Sequence, residues 1–357
     1  DLPDPDTLYA ALIARDPAWE GRAYVGVTST GVFCRLTCPA RKPKRANCVF
    51  VGSVAEAVRA GFRACKRCHP TGPEAQGDPV VAGLLTRLQT APETRWSEAL
   101  LRAEGYDPST ARRAFQRHFG MSFLEMARHA RLRLGAAALP DGKVIEAQMD
   151  AGFSSAAAFR AAFGKWLGLA PGRFARDALL KADIIETALG AMVVVSSARA
   201  VHLLEFTERR ALPGEVRRLH AYAKGSLGFG RLAPPTQIEA ELAAFMAGRS
   251  ARFETPLAPV GPPFAQKVWA ALQQIPPGET RSYSGLAAEM GRPYATRAVA
   301  RANGANPIAI AIPCHRVLGA DGALTGYGGG LWRKQALIEI ERGFARPKTE
   351  QKTGVEG

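Results

Sequence analysis

The sequence predicts a multidomain α+β protein, and three observations support this prediction. The chain has 357 residues, which exceeds the usual length of a single domain. Its hydrophobic content of 47% is enough to form several buried cores. The local pattern changes along the chain, from a cysteine-rich segment through helical stretches to a β-branched segment and further helices. We predict four domains and a disordered tail, with the boundaries 1–77, 78–180, 181–261, 262–346 and 347–357.

The charge balance favours a polyanionic partner. Lys and Arg total 47 against 32 Asp and Glu, which gives a formal net charge of +15. Such an excess indicates nucleic acid first and an anionic membrane surface second. The sequence has no apolar run of about eighteen residues, so it predicts no membrane-spanning helix. Its start, DLPDPDTLYA, is acidic and has no apolar signal core, and we expect a cytoplasmic protein.

The cysteines of the N-terminal segment are spaced for a metal. Three residues separate Cys34 from Cys38, and two separate Cys65 from Cys68. Two close pairs are typical of a tetrahedral four-cysteine zinc site, because each short turn aims two sulfurs at one ion. Disulfides are the alternative, but bonds between such close residues would be strained, and a reducing compartment is expected. We predict one Zn²⁺ ion on these four cysteines, with His69 as a less favoured ligand.

Basic residues crowd the same segment, where Cys48 is expected only to pack. The nine are Arg35, Arg41, Lys42, Lys44, Arg45, Arg59, Arg63, Lys66 and Arg67. They indicate either contact with phosphates or charge balance for a dianionic zinc site. The stretches GVFCRLTCPARKPKRANCVF and AGFRACKRCHP resemble the N-terminal domain of the Ada family of bacterial adaptive-response proteins. The resemblance implies that zinc-bound Cys34 accepts a methyl group from a DNA methylphosphotriester, and the lost negative charge is expected to raise DNA affinity.

Two helix-turn-helix patterns follow, about forty residues apart. In WSEALLRAEGYDPSTARRAFQRHFG the second helix is expected to be capped by Ser109. In VIEAQMDAGFSSAAAFRAAFGKWLG the turn lies at Gly152, and Ser154 or Ser155 is expected to be the cap. A helical bundle with a solvated basic face is the alternative. The stretch AGFSSAAAFRAAFGKWLGLAPGRF resembles the AraC-type DNA-binding domain, which implies an all-α double helix-turn-helix domain.

The helical period predicts which side chains of these units face outward. In the first unit, Ala111, Ala114, Phe115 and Phe119 can line the core. That arrangement leaves four polar residues for groove edges and phosphates, namely Arg112, Arg113, Gln116 and Arg117. In the Ala-rich second recognition helix, Arg160 is the main polar candidate.

The segment IIETALGAMVVVSSARAVHLLEF, residues 184–206, predicts two strands joined by a turn at Ser196 to Arg199. The later stretch PTQIEAELAAFMAGRS predicts an amphipathic helix capped by Thr236. We assign this region a scaffold role without chemistry.

The stretch IPCHRV places Cys314 between a proline and His315. A neighbouring base raises the thiolate fraction of a cysteine, although a lone cysteine can also be a small buried hydrophobe. Residues 264–344 resemble the catalytic half of the O6-alkylguanine-DNA alkyltransferases. The resemblance implies a winged-helix-like domain, preceded by a ribonuclease-H-like lobe. It also implies that the protein flips O6-alkylguanine or O4-alkylthymine out of DNA and moves the alkyl group irreversibly to Cys314.

The alkyltransferase resemblance implies roles for residues around the nucleophile. Glu341 is expected to hold His315, which deprotonates Cys314 through a water. Asn306 is expected to brace the active-site turn with side-chain hydrogen bonds. Tyr327 is expected to donate to the flipped base, and guanine is expected to leave after protonation from Tyr327 or its neighbourhood.

Two further residues are implied to contact DNA. In SYSGLAAEMGRPYATRAVARANG, Arg297 opens the second helix of a third helix-turn-helix unit. It is expected to enter the base stack and hold the space of the flipped guanine, with a phosphate contact as the alternative. Tyr283 is expected to lie beside the target phosphate.

The resemblances together predict a DNA-repair protein that becomes a transcription activator when Cys34 is methylated. The expected partners are double-stranded DNA and RNA polymerase, and the expected state is a monomer without membrane contact. One alternative is a repair-only alkyltransferase that is tethered to DNA by its N-terminal domains. The other is a regulator without chemistry, against which the intact pair Cys314 and His315 argues.

Overall fold

The computed structural model describes residues 2–19, 22–52, 56–57, 60–65, 68, 79–140, 143–320, 322 and 324–345. Backbone contacts divide the chain into two compact units, Asp1–Gln89 and Thr90–Gly357. None of the helices in the described ranges is long and apolar enough to cross a bilayer. The predicted tail, 347–357, lies outside the described residues, as does His69.

The first unit is built on a small sheet. Its elements are α1 (Pro5–Ala14), β1 (Tyr24–Val27), β2 (Val32–Arg35), β3 (Cys48–Val51), β4 (Arg63–Ala64) and α2 (Pro79–Thr90). The strand order is β3–β1–β2–β4, with β2 and β4 parallel. The Asp4 side chain caps α1, and Leu8 and Leu12 of that helix pack with Val25 against the cysteine-bearing loops. Cys48 is buried in this cluster, as expected of a packing residue.

The second unit begins with the two helix-turn-helix motifs. They comprise α3 (Glu98–Ala103), α4 (Pro108–Phe119), α5 (Phe123–Ala136), α6 (Val144–Asp150) and α7 (Ala156–Leu167). Helices α3 and α4 form the first motif, α5 is the connection, and α6 and α7 form the second.

The cap predicted for the first recognition helix is wrong. The carboxylate of Asp107, and not Ser109, accepts the N–H of Thr110 at 2.7 Å. Proline suits the first helical position because its fixed φ is helical and its missing N–H needs no partner there, so Pro108 moves the cap to the residue before it. In the second motif the cap is Ser155, which accepts the N–H of Ala158, and Gly152 in the turn has φ +67°.

A mixed sheet with helices follows. Its elements are β5 (Leu180–Ile185), β6 (Met192–Ser196), β7 (Val201–Phe206), α8 (Leu212–Tyr222), β8 (Leu227–Phe229) and α9 (Ala233–Met246). The order is β7–β6–β5–β8, with β8 parallel to β5 and the other pairs antiparallel. The two predicted strands joined by a turn are confirmed as β6 and β7. The start of the predicted segment, however, belongs to a further strand, β5, which begins at Leu180. The cap predicted at Thr236 is wrong, because α9 begins at Ala233. Pro234 fits in the first turn, where its missing N–H would have had no intrahelical acceptor.

The double helix-turn-helix domain and this sheet share one hydrophobic core. Phe163 and Trp166 of α7 are buried together with Val193 and Leu203 of the sheet. The Trp166 indole N–H also donates to the carbonyl of Thr207 at 3.2 Å. At the end of α7, a Cβ on Gly168 would lie 2.1 Å from the Pro213 carbonyl oxygen. The two domains are therefore in direct contact, in addition to their connection along the chain.

The last part of the chain carries the Pro-Cys-His motif. Its elements are α10 (Pro263–Leu272), β9 (Arg281–Ser282), α11 (Tyr283–Glu289), α12 (Thr296–Gly304), β10 (Val317–Leu318) and α13 (Leu331–Ala345). Val317 pairs in parallel with Arg281, so the strand after the motif lies beside the start of α11. The segment before the motif is bonded to β7, since the N–H of Leu204 donates to Pro307 and the N–H of Ala309 donates to Leu204. These elements confirm the multidomain α+β prediction.

Candidate zinc centre and active site

The four predicted zinc ligands lie together. Cys34 is on β2 and Cys38 is in the turn that follows it. Parallel pairing of β4 with β2 brings Cys65 alongside, and its N–H donates to the Phe33 carbonyl at 3.0 Å. The sulfurs of Cys34, Cys38, Cys65 and Cys68 all lie within 4.8 Å of one another.

This donor set fits zinc. Four sulfurs at about 2.3 Å from one tetrahedral ion are separated by roughly 3.8 Å, which the cluster can reach with small side-chain rotations. The thiols already perturb one another: hydrogen bonding with Cys38 raises the pKa of Cys34, while the same contact lowers the pKa of Cys38 to about 2. The family resemblance of this segment and its geometry therefore agree on a single zinc ion.

Several basic residues of this unit turn inward to the zinc loops. The Arg35 guanidinium donates to the carbonyl of Cys68 at 2.6 Å. The Lys42 ammonium donates to the carbonyls of Leu36 and Cys38 at 3.1 and 3.2 Å. These cations hold the ligand loops in place and place positive charge close to the thiolates. Arg45 forms an ion pair with Asp6. Three further basic residues, Arg41, Lys44 and Arg63, are exposed. The remaining three, Arg59, Lys66 and Arg67, lie outside the described residues.

The recognition helices present the polar residues expected of them. Arg112, Arg113, Gln116 and Arg117 of α4 are exposed, while Ala111, Ala114 and Phe115 are buried. Arg160 of α7 is also exposed. Gln116 donates to the carbonyl of Gly120 at 2.9 Å, so part of its hydrogen-bonding capacity goes to the helix end.

Cys314 begins a short 3₁₀ turn, Cys314–Arg316, and the backbone that precedes this turn is strained. Ile310 has φ +71°, which is unusual for a β-branched residue. Asn306 maintains this path, because its amide donates to the carbonyls of Ile308 and Ile312 at 3.2 and 2.8 Å and accepts the N–H of Ile308 at 3.0 Å. Strain held in this way by surrounding contacts is typical of functional sites.

His315 and Glu341 form a buried pair. The His315 Nε2 atom lies 2.9 Å from Glu341 Oε1, and both side chains are almost fully buried. Burial lowers the pKa of His315 despite the opposite effect of the carboxylate, so the imidazole is neutral. With Nε2–H donated to Glu341, Nδ1 carries the free lone pair, and it has no hydrogen-bond partner among the described protein atoms. His315 can therefore accept a proton at Nδ1.

The Cys314 thiol is poorly ionised at rest. Burial raises its pKa, while hydrogen bonding from Asn306 and the charges of Arg209 and Lys334 act in the opposite direction. Lys334 is itself buried, and its ammonium donates to the carbonyl of Thr325 at 2.7 Å. A buried thiol of this kind needs a general base for attack, which fits the free Nδ1 of His315.

Tyr327, Tyr283 and Arg297 lie on the elements that surround this turn. The Tyr327 hydroxyl is buried without a partner in the described structure, and burial raises the pKa of Tyr327 well above its ordinary value. It therefore remains a proton-bearing donor. Tyr283 is half-buried at the start of α11, and Arg297 is exposed in the first turn of α12.

The sequence analysis missed several residues at this site. Arg316 holds Glu341 through Nε and Nη2 at 2.7–3.0 Å, and Asn303 donates to the Cys314 carbonyl at 3.4 Å. Glu205 and Arg209 reach the site from the region interpreted as scaffold alone. Arg316 follows the motif directly and could have been noticed, but no local pattern marks the others.

Three protein families match parts of the chain. Residues 7–71 match the metal binding domain of Ada, and residues 100–177 match a helix-turn-helix domain. Residues 263–343 match the DNA binding domain of 6-O-methylguanine DNA methyltransferase. The matches fall on the four-cysteine cluster, the recognition helices and the Cys314 turn, and they confirm zinc and DNA as ligands of these domains.

Individual relatives extend these matches. The Mycolicibacterium paratuberculosis methylated-DNA–protein-cysteine methyltransferase is 57% identical over 102 residues, which are 29% of this chain and 62% of the relative. The crystal structure of Mycobacterium tuberculosis O6-methylguanine methyltransferase matches with a TM-score of 0.41 at 38% identity, covering 48% of this chain and 96% of that one. The bifunctional transcriptional activator/DNA repair enzyme Ada of Escherichia coli strain K12 is 33% identical over 347 residues, which are 94% of this chain and 96% of the relative. Because that similarity runs along nearly the whole length of both proteins, the chain belongs to the Ada family.

Proposed function

We propose that this protein repairs alkylated DNA in two stoichiometric reactions and that one of them makes it a transcription activator. Cys314 takes the alkyl group of O6-alkylguanine or O4-alkylthymine, and zinc-bound Cys34 takes a methyl group from a methylphosphotriester. Each thioether product lacks an easy leaving path, so each cysteine reacts once. The observation that carries the proposal is the pairing, in one chain, of a four-thiol cluster with a buried Cys-His-Glu arrangement.

In the reaction at Cys314, His315 acts as the general base. Its Nδ1 atom takes the thiol proton through a water, while Glu341 holds Nε2–H and stabilises the imidazolium that forms. The thiolate attacks the alkyl carbon, so that a C–S bond forms as the C–O bond to the base breaks. The departing guanine receives a proton from Tyr327. Asn306 holds the turn on which Cys314 lies, and Arg297 occupies the space left in the duplex.

In the reaction at Cys34, a DNA phosphate is the leaving group. Zinc, when bound, keeps the sulfur ionised at neutral pH. The Cys34 sulfur attacks the methyl carbon, the C–O bond breaks, and the phosphodiester leaves with its negative charge restored. Arg35 and Lys42 hold the ligand loops, which keeps the sulfur in position during the reaction.

Promoter recognition is assigned to the two recognition helices. Arg112, Arg113, Gln116 and Arg160 contact groove edges or phosphates, and Tyr283 contacts the phosphate beside the damaged base. The proposal keeps three expectations of the resemblance, namely that the protein acts as a monomer, contacts RNA polymerase and works in the cytoplasm. A reducing compartment suits its free thiols.

Mass spectrometry of each cysteine tests the chemistry. The zinc-loaded protein is incubated with a duplex that contains O6-methylguanine or with one that contains methylphosphotriesters. We expect one methyl group on Cys314 in the first case and one on Cys34 in the second. Cys48 is the control, because it is buried beside the cluster but does not belong to it. An unmodified Cys314 after loss of O6-methylguanine from the duplex would show that the nucleophile is misassigned.

A reporter assay tests the regulatory part. A repair-only protein would clear both lesions but leave transcription unchanged after exposure to methylating agents. The proposed regulator raises transcription from its promoter, and a Cys34→Ala variant abolishes that rise while still repairing O6-methylguanine. Equal transcription by the wild type before and after methylation would favour the repair-only alternative.

A further inference from the structure

One buried arginine, Arg209, contacts the loops on both sides of Cys314. It lies just after β7, in the part of the chain that precedes the catalytic domain. Its guanidinium donates to the carbonyl of Gly304 at 2.8 Å and to the carbonyl of Asn306 at 3.1 Å. Gly304 ends α12, and Asn306 braces the strained path to Cys314. The guanidinium therefore supports Asn306 through the main-chain carbonyl of that residue.

The same guanidinium lies against the loop that carries Tyr327. A Cβ on Gly328 would lie 2.9 Å from Cζ of Arg209 and 3.0 Å from two of its nitrogens. Only glycine lets the backbone approach the arginine this closely. Arg209 thus sets the distance between the Asn306 loop and the Tyr327 loop.

Arg209 is anchored by two carboxylates from its own lobe. It forms ion pairs with Glu205 and with Glu215, the latter at 3.2 Å, and all three side chains are at least nine-tenths buried. Glu205 is itself fixed, because its other oxygen accepts the N–H of Phe206 at 3.0 Å. A guanidinium held in this way loses little entropy when it contacts a loop, which suits it to a positioning role.

We propose that Arg209 is a positioning residue for alkyl transfer, which holds the Asn306 and Tyr327 loops at a fixed spacing around Cys314 and stabilises the thiolate by its charge. The inference rests on the proposed alkyl transfer and deepens it, because it assigns a role in the chemistry to the lobe that precedes the catalytic domain. The arrangement gives this buried charged cluster a role other than stability, for which a buried ion pair is weak evidence.

The charged and titratable groups around Cys314 come from several elements. Glu205 and Arg209 face it from the lobe, Lys334 from α13, and Tyr283, Tyr327 and His315 from the catalytic domain. Arg209 and Lys334 lower the pKa of the thiol, and Glu205 raises it. Loss of Arg209 removes a positive charge that favours the thiolate and therefore makes the thiolate harder to form.

Single-turnover kinetics of the full-length, zinc-loaded protein test the inference. The probe is a duplex that contains one O6-methylguanine, and the transfer rate constant at saturation is measured separately from the half-saturating DNA concentration between about pH 6 and 9, a range that spans the ordinary pKa of a thiol. For Arg209→Met we expect a rate constant lower by about tenfold to a hundredfold, because small displacements of reacting groups have effects of this size. The half-saturating concentration stays nearly unchanged, and the rise of the rate with pH moves to higher pH. Arg209→Lys restores the pH profile but only part of the rate, since an ammonium lacks the guanidinium fork.

Two further variants keep the test decisive. If Arg209→Met does not fold, combining it with Glu205→Gln and Glu215→Gln removes the guanidinium and both carboxylates paired with it, and still removes the contacts to the loops, so a slow rate is expected for it as well. Arg131→Met removes another buried arginine of the same unit, one that donates to the carbonyl of Ala151 far along the chain from Cys314. It is expected to lower stability and leave the rate constant and pH profile unchanged. A wild-type rate and pH profile in folded Arg209 variants would overturn the inference, whereas absence of transfer by the wild type would overturn the proposed function instead.

Discussion

At the scale of single residues, Glu341 binds two basic side chains at once. It accepts from His315 on one side and from Arg316 on the other, in a place almost closed to water. Burial disfavours its charge, but the hydrogen bonds of these partners together outweigh burial and lower the pKa of Glu341 to about 2. The carboxylate is thus charged at every pH at which the protein is expected to work, and His315 is oriented without being protonated.

The low pKa of Glu341 predicts a specific loss of stability in acid. Its folded value of about 2 lies below the ordinary 4.5, so its contribution is complete above about pH 4.5 and is lost as the pH falls toward 2. Glu341→Gln leaves Arg316 buried without its counter-charge, and we expect a loss of about 3 kcal/mol or more at neutral pH. Urea unfolding of both proteins from neutral pH down to about pH 2.5 should show the difference narrowing in the acid part of the range. A difference that stays constant over this range would contradict the assignment.

Cys314, the proposed nucleophile, gives the most direct residue-scale prediction. Cys314→Ala should abolish repair of O6-methylguanine and leave zinc content and promoter binding near the wild-type values. Replacing a buried thiol by a methyl group leaves only a small cavity, so stability should change by about 1 kcal/mol at most. Repair is followed by release of radiolabelled methyl from a duplex, with metal analysis of the same sample. Residual repair by the variant would sink the assignment of Cys314.

At the scale of elements, α7 has two roles. One face presents Arg160 to solvent, and the opposite face inserts Phe163 and Trp166 into a core shared with the sheet β7–β6–β5–β8. The recognition helix is thereby part of the same packed body as the lobe that supports the active site. A close-packed interior is destabilised by the loss of single groups. We therefore expect a substitution in this core to destabilise the recognition helix and the active site together.

Trp166→Ala tests this shared core. The side chain is 1% exposed, so its truncation should cost about 3–5 kcal/mol. Promoter binding and alkyl transfer are expected to fail together, at the same lower temperature, when samples are heated and then assayed. Tyr222→Ala removes an exposed ring, at 61% exposure, and is the matched control without effect. Loss of promoter binding at a temperature where transfer survives would show that the domains unfold separately.

At the scale of the whole molecule, the sequence predicted what local spacing determines. Cys34, Cys38, Cys65 and Cys68 could be read as one cluster because each pair lies within one turn. The contact of Arg209 with Asn306 could not, because 97 residues separate them and no period links them. The errors at Ser109 and Thr236 have a local origin: each stretch offers several capping candidates, and a proline in the first turn decided between them. The roles of His315, Asn306 and Glu341 came from family resemblance, and the structure adds the hydrogen bonds on which those roles depend.

Zinc removal should affect one unit more than the other. The first unit is small, and its loops converge on the four cysteines, so metal binding and folding are expected to be coupled there. A chelator, or Cys65→Ala, should unfold the first unit, Asp1–Gln89, while repair of O6-methylguanine by the second unit persists. Hydrogen exchange resolves the two units in one experiment. A protected first unit in protein shown to be free of zinc would refute the coupling.

The switch between repair and regulation is the last prediction, and it follows from charge. A zinc ion with four thiolates carries two net negative charges, and methylation of Cys34 leaves one. The side chains of Arg35 and Lys42 donate hydrogen bonds to the zinc loops. Arg41 and Lys44 are exposed and can contact phosphate. Loss of one negative charge beside them should be worth about 1 kcal/mol for each close, partly screened contact. Promoter DNA is titrated at two salt concentrations with protein methylated selectively at Cys34 or at Cys314. We expect tighter binding only for the Cys34-methylated form, with a smaller gain at the higher salt and in the Arg41→Ala, Lys44→Ala variant. Equal affinities of the unmodified and Cys34-methylated proteins at both salts would mean that charge at the zinc site does not control the promoter complex.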